Sequence, residues 1–321
     1  LLSALVSILK NEKFVIVRTI GLRLKTTFAV FLLIHLAINS FAQKQGIDLI
    51  DSLKFDLVNA SEDTTQVNKL CSLSYECFRH NAIEGIKYGE QALSLAKSIS
   101  WRKGIASANN SLGVNYFTKG EYPKALDCFL KSLSNYTEIG DELKIATLNN
   151  NIGTIYVNLG NDAKAIKYFK RSLSINSKIN NKKGLSLNYG NLAVIYSNQK
   201  QYVKGNEFYN KALGIDYELN NKDAISRNLC NISNNKRKIK EYCESLEYGF
   251  KALKVGTEIK SNYNQGFCNQ SIGETYYRLA LDSTTKISCK HFKQGVVANL
   301  QVASVYLKEA VIFYGKLNDL Q

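Results

Sequence analysis

The chain has 321 residues, 45% hydrophobic and 21% charged, with one proline, Pro123, and a formal charge of +15. Its length allows two ordinary domains or one continuous repeat array, and its apolar content allows a sizeable core. The scarcity of proline fits helices, whose interiors exclude it, and the positive balance favours acidic partners or anionic surfaces without bearing on fold.

In chain order, residues 1–23 read as an upstream extension, with the functional start expected at Leu24. Arg23 and Lys25 precede an apolar stretch over 28–38, followed by Ser40-Phe41-Ala42 and polar Gln43. A basic start, an apolar stretch and small residues before a cut predict a signal peptide over 24–42, cleaved after Ala42. An uncleaved anchor is the rival reading, but the stretch is short against the roughly 20 residues a span needs. The mature chain is therefore expected to be exported, periplasmic or envelope-associated in a bacterium, without a membrane span. A linker or N-terminal helix is expected over 43–62.

From there a forty-residue period governs the sequence. Leu112, Ile152, Leu192, Ile232 and Ile272 stand forty apart, each followed by a small residue, Gly113, Gly153, Ala193, Ser233 or Gly273. Four residues after the apolar position come Tyr116, Tyr156, Tyr196, Lys236 and Tyr276. A second set holds Ala125, Ala165, Gly205 and Ser245, then Phe129, Phe169, Tyr209 and Gly249. Each set lies on one helical face, so each unit reads as a helix pair, the second helix opening at Pro123 in the first full unit. About six units are expected: 63–101, 102–141, 142–181, 182–221, 222–261 and 262–321, the last with an insertion near 281–297. The fourth full unit has lost its aromatic positions and is expected to be the weak joint of the array.

These columns resemble the tetratricopeptide (TPR) pattern W-x2-L-G-x2-Y…A-x3-F. The core of it stands as Leu112-Gly113-x2-Tyr116 with Ala125-x3-Phe129, and again as Ile152-Gly153-x2-Tyr156 with Ala165-x3-Phe169. The family's Trp and closing Pro are absent, and forty residues exceed the usual 34. The longer unit is similar to the kinesin light chain type and to the extracytoplasmic TPR sensor region of bacterial membrane histidine kinases and related regulators. The resemblance implies an all-α, right-handed superhelical solenoid of antiparallel helix pairs that binds protein or peptide without catalysis.

Catalytic and metal motifs are not legible. The seven cysteines are odd in number and irregularly spaced, with no CxxC, so most read as small buried helix residues. Cys289 and His291 make only two candidate ligands, and the chain shows no HExxH, phosphate-cradling loop or nucleophile elbow. No metal, cofactor or nucleic-acid partner is expected; the basic run from Lys236 to Lys240 lacks interleaved aromatics.

The candidate site is the first-helix face. Asn110, Asn150, Asn151, Asn191 and Asn231 recur beside the apolar column although asparagine is a mediocre helix former. Their amides can serve an extended peptide backbone as donor and acceptor, a use the kinesin light chain resemblance implies, or can bond helix to helix. Arg227, Arg237, Lys238 and Arg278 make the later repeats basic, so the expected ligand is an acidic peptide. The alternatives are the input region of a truncated signalling histidine kinase or regulator, and, more distantly, a basic nucleic-acid-binding protein.

Overall fold

A computed structural model describes residues 50–55, 57, 63–282 and 295–318. The predicted signal peptide, the upstream extension, Cys289 and His291 lie outside them. Leu1–Asn59 and Ala60–Gln321 are separate units. Of the first, only helical residues 50–55 and 57 are described.

The second unit is a run of helices: α1 Thr64–Cys77, α2 Ala82–Ser98, α3 Arg102–Thr118, α4 Tyr122–Ile139, α5 Glu142–Asn158, α6 Asp162–Lys178, α7 Lys182–Asn198, α8 Tyr202–Glu218, α9 Lys222–Lys238, α10 Tyr242–Glu258, α11 Asn262–Leu281 and α12 Val296–Asn318. No strand occurs among the described residues. Each helix packs on its chain neighbours, and first helices also touch across repeats, α1 on α3, α5 on α7 and α9 on α11. The result is an array of antiparallel helix pairs.

The turns explain the period. Most helices run 17 residues and hand over through three. A left-handed residue recurs every twenty: Ser100, Gly120, Gly140, Gly160, Asn180, Lys200, Asn220, Lys240 and Lys260. This conformation ends a helix by turning its last amides back onto free carbonyls, as Glu121 N–H does on Tyr116 O at 2.9 Å. First and second helices alike mostly run 17 residues, so the forty-residue unit is two equal halves. Asparagine supplies many starts, Asn161, Asn181 and Asn221 each accepting a backbone N–H at the N-cap. Part of the chain's asparagine richness is therefore capping.

The core lies between successive pairs. Phe129 (2% exposed) and Phe169 (1%) lie over Gly113 and Gly153, where a Cβ would stand only 2.6 and 2.7 Å from the ring. The small residue is thus a seat for the aromatic one. Ser132 and Ser172 tie each second helix to the first, their hydroxyls donating to Ala106 O and Ala146 O at 2.8 and 2.7 Å.

The divergent unit, α9 with α10, is filled differently from its neighbours. Ser233, Ser245, Ser271 and Thr275 form a buried hydroxyl cluster with contacts of 2.9–3.3 Å. Gly249 makes room for Ile272. The glycine has moved to the second helix and the bulky side chain to the following first helix, so the columns lost in sequence are refilled in space.

The last helix also differs from expectation in character. Val296–Lys316 within α12 is long and apolar enough to cross a membrane by length and composition alone. In the fold it packs on α11 through Ala303 and Ala310, both buried.

Candidate functional site

The first helices line a trough. A cavity of about 780 Å³ opens along α1, α3 and α5, lined by Tyr75, Asn110, Val114 and Asn151 among others. A second, of about 630 Å³, follows along α5, α7 and α9, where Lys183, Asn191, Arg227 and Asn231 contribute. A third, of about 360 Å³, continues past Lys200, Asn234 and Lys238. The first two share Lys144 and Thr147, and the last two share Asn231, so the trough is continuous from α1 to α9.

The asparagines divide into two groups. Asn150 is buried, and its Oδ1 accepts from Nδ2 of Asn188 at 3.2 Å and of Asn191 at 2.8 Å. This pair joins α5 to α7, which is the helix-to-helix use. Asn151 and Asn231 line the trough with no described side-chain partner. Asn110 faces the first cavity, and its Oδ1 is a buried acceptor without a partner. An unpaired buried polar atom costs free energy that a ligand N–H would recover.

The cations divide as well. Arg227 is exposed at the trough and pairs with Asp223 at 3.0 Å. Lys238 lines the trough without an acidic partner among the described residues. Arg278 is exposed on α11, outside the three cavities. Arg237 departs from the sequence expectation of a free ligand-binding arginine. It is 8% exposed, and its guanidinium is bound to Glu274 at 2.7 Å and Asn234 Oδ1 at 3.0 Å. Burial lowers its pKa, opposed by the Glu274 charge. Such a pair is costly to break from one side, so Arg237 ties α9 to α11 and is closed to a ligand.

Sequence reasoning passed over the polar layer beneath the trough. One position in each of α4, α6 and α8 reaches the adjoining first helices: Tyr136 to Ser107 at 2.8 Å, Asn176 to Asn188 at 2.8 Å, and Asp216 to Ser186 at 2.6 Å and Asn228 at 2.8 Å. Asp216 is fully buried, and burial raises its pKa against the two hydrogen bonds it accepts. The signal was available, since these residues are forty apart, but their types change at every step. No cluster able to hold a metal occurs among the described residues.

Residues 104–178 and 144–218 each match the family described as Tetratricopeptide repeat. Residues 104–218 are therefore tetratricopeptide repeats. Solved structures of this fold include a signal transduction ATPase with a tetratricopeptide repeat sensor from Pyrococcus horikoshii, at TM-score 0.68 and 17% identity. That similarity covers 89% of this chain but 43% of the other, so the chain spans less than half of that ATPase. The apo form of RapI gives TM-score 0.63 and 16% identity, covering 91% of this chain and 99% of that one. A Rap protein complexed with Competence and Sporulation Factor gives 0.58 and 15%, covering 91% and 79%. No curated protein sequence matches the chain. The fold is the right-handed superhelical solenoid of antiparallel pairs that the repeats imply.

Proposed function

We propose that this TPR solenoid is a non-catalytic sensor or scaffold module of the bacterial envelope that holds an extended, acidic peptide in the trough of its first helices. The observation that carries the reading is the lining itself. Asn151 and Asn231 offer free amides, Asn110 offers an unpaired acceptor, and Lys144, Lys183 and Lys238 add positive charge, with Glu76 as the carboxylate among the lining residues. The amides suit peptide groups and the cations suit carboxylates. The basic and apolar pattern of residues 23–42 supports export. The Rap protein complexed with Competence and Sporulation Factor supports a ligand-holding role for this fold.

A second reading is the input part of a larger signalling protein. The Pyrococcus horikoshii ATPase favours it, since there a similar solenoid is the sensor of a longer chain.

The test is a titration of an acidic peptide library against wild type, an Asn151→Ala, Asn231→Ala variant and an Arg227→Gln, Lys238→Gln variant at two ionic strengths. The asparagine variant should lose affinity at both, by about 0.5–1.5 kcal/mol per hydrogen bond. The cation variant should lose more at low salt, because exposed charges are screened over about 8–10 Å. Asparagine variants that bind like wild type throughout reject the trough as the site.

A further inference from the structure

The outer faces of α6 and α8 repeat one arrangement. On α6, Lys164 lies 5.1 Å over the Tyr156 ring, Tyr156 stacks on Tyr168 at 5.5 Å, and Arg171 lies 5.5 Å over Tyr168. On α8, Lys204 lies 4.0 Å over Tyr196, Tyr196 stacks on Phe208 at 5.2 Å, and Lys211 lies 5.2 Å over Phe208. All four members recur forty residues on. The flanking repeats lack the full set. Before it, Cys128 stands where Tyr168 does, and Lys131 is neutralised by Asp127 at 2.6 Å. After it, Lys236 and Glu244 form an ion pair where Tyr196 and Lys204 stand.

Lys167 and Lys170 add two further exposed cations to α6. None of Lys164, Lys167, Lys170, Arg171, Lys204 and Lys211 has an ion-pair partner among the described residues. The acids nearby are Asp162, which accepts from Gln199 at 2.9 Å, and the exposed Glu207 on α8. The face is therefore strongly positive and its charges are not internally neutralised. Because the rings restrict four of the six cations, less ordering remains to be done when an anion binds.

We infer that the outer face of α6 and α8 is a second interaction surface, separate from the trough, that takes an acidic polypeptide segment. Its carboxylates would pair with the six cations, Arg171 offering the bidentate fork. The observations favour a polypeptide over other polyanions. Nucleic acid bound by stacking needs free aromatic faces, and these rings are already engaged by one another and by the cations. Lipid insertion needs a row of exposed apolar side chains; among the described residues α6 exposes no large hydrophobic and α8 exposes Val203 and Tyr217, near its two ends.

The test uses the full chain and a labelled oligoglutamate peptide. Because the trough is also proposed to take acidic ligand, it is first disabled with Arg227→Glu and Lys238→Glu. Binding should persist in that background, and adding Lys167→Glu and Lys170→Glu, which disturb no ring contact, should weaken it by at least about ten-fold at low salt. Circular dichroism checks folding, and Lys167→Gln with Lys170→Gln substitutes if the reversals do not fold. Loss of all binding on disabling the trough, or no further loss on changing α6, overturns the second surface. In the same background, tighter binding of a single-stranded oligonucleotide or of anionic lipid vesicles than of oligoglutamate overturns the choice of partner.

Discussion

Lys236 and Glu244 meet at 2.7 Å where the three preceding repeats set a lysine over a tyrosine. There the pairs are Tyr116 with Lys124, Tyr156 with Lys164 and Tyr196 with Lys204, at 5.4, 5.1 and 4.0 Å to the ring. Both positions changed, and an ion pair replaced a cation–ring contact between the same two helices. The unit that looks decayed in sequence is paired and refilled in structure. Glu244→Lys alone should therefore destabilise, by under about 1 kcal/mol and less at high salt, because Lys236 then faces a like charge. Glu244→Lys with Lys236→Tyr should recover most of that loss by restoring the neighbours' pair. Urea denaturation measures both, and a double variant no better than the single one refutes the exchange. Amide exchange in α9 and α10 should be about as slow as in α7 and α8.

Lys260 sits at φ 53, in the left-handed turn that three of its counterparts, Gly120, Gly140 and Gly160, occupy without a Cβ. For a non-glycine residue this region costs about 1–2 kcal/mol. Glycine also has more freedom to lose from the unfolded chain, which offsets part of the gain. Lys260→Gly should raise stability by about 0.5–1 kcal/mol. The reverse change, Gly160→Ala, should lower it, although nothing lies within 4 Å of the site for the methyl group to meet. An unchanged or lowered melting temperature for Lys260→Gly would contradict this.

What could be read beforehand followed from locality. The columns through Leu112 and Phe129 are faces of single helices, and a fixed period exposes them directly. The left-handed turns at Lys200 and Lys260 were not legible, because nothing in a lysine announces a left-handed backbone. The burial of Arg237 was hidden for a different reason. Its partner Glu274 lies 37 residues ahead on another first helix, and an arginine viewed alone looks exposed. Asn150 and Asn191 are likewise separated by a full repeat, so neither could be assigned to the trough or to the helix joint without coordinates.

The thiols offer a test of burial. Burial pushes Cys71 up to about 12 and Cys128 up to about 11, and raises Cys230 as well. Cys243 is only half-buried, while the other five described cysteines are buried. The thiolate is the form that reacts, so high pKa and burial act in the same direction. Iodoacetamide at about pH 8 should label Cys243 first among these six, and denaturant should open the rest. Mass spectrometry that found Cys71 or Cys128 labelled first in the native protein would show that the first two repeats open readily.

Asp216 carries the clearest dependence on pH. Its carboxylate is buried, with hydrogen bonds from Ser186 and Asn228 but no ion pair among the described residues, and burial raises its pKa. The folded chain therefore keeps this proton to a higher pH than the unfolded chain does. Ionisation then weakens folding as pH climbs above the unfolded value of about 3.9, and the cost is complete once pH exceeds the raised folded value. Below the unfolded value both states are protonated and the cost vanishes. Asparagine removes the charge, and the preceding repeat supplies its geometry: Asn176 already donates to Asn188 Oδ1 at 2.8 Å. In Asp216→Asn, Oδ1 would keep the Ser186 bond and Nδ2 would donate to Asn228 after its amide turned over. The variant should be more stable than wild type at neutral pH, with the difference closing as pH falls towards the unfolded value. Urea titrations across that range decide it. A variant less stable at neutral pH would mean that the two charge-assisted bonds outweigh the cost of burying the carboxylate.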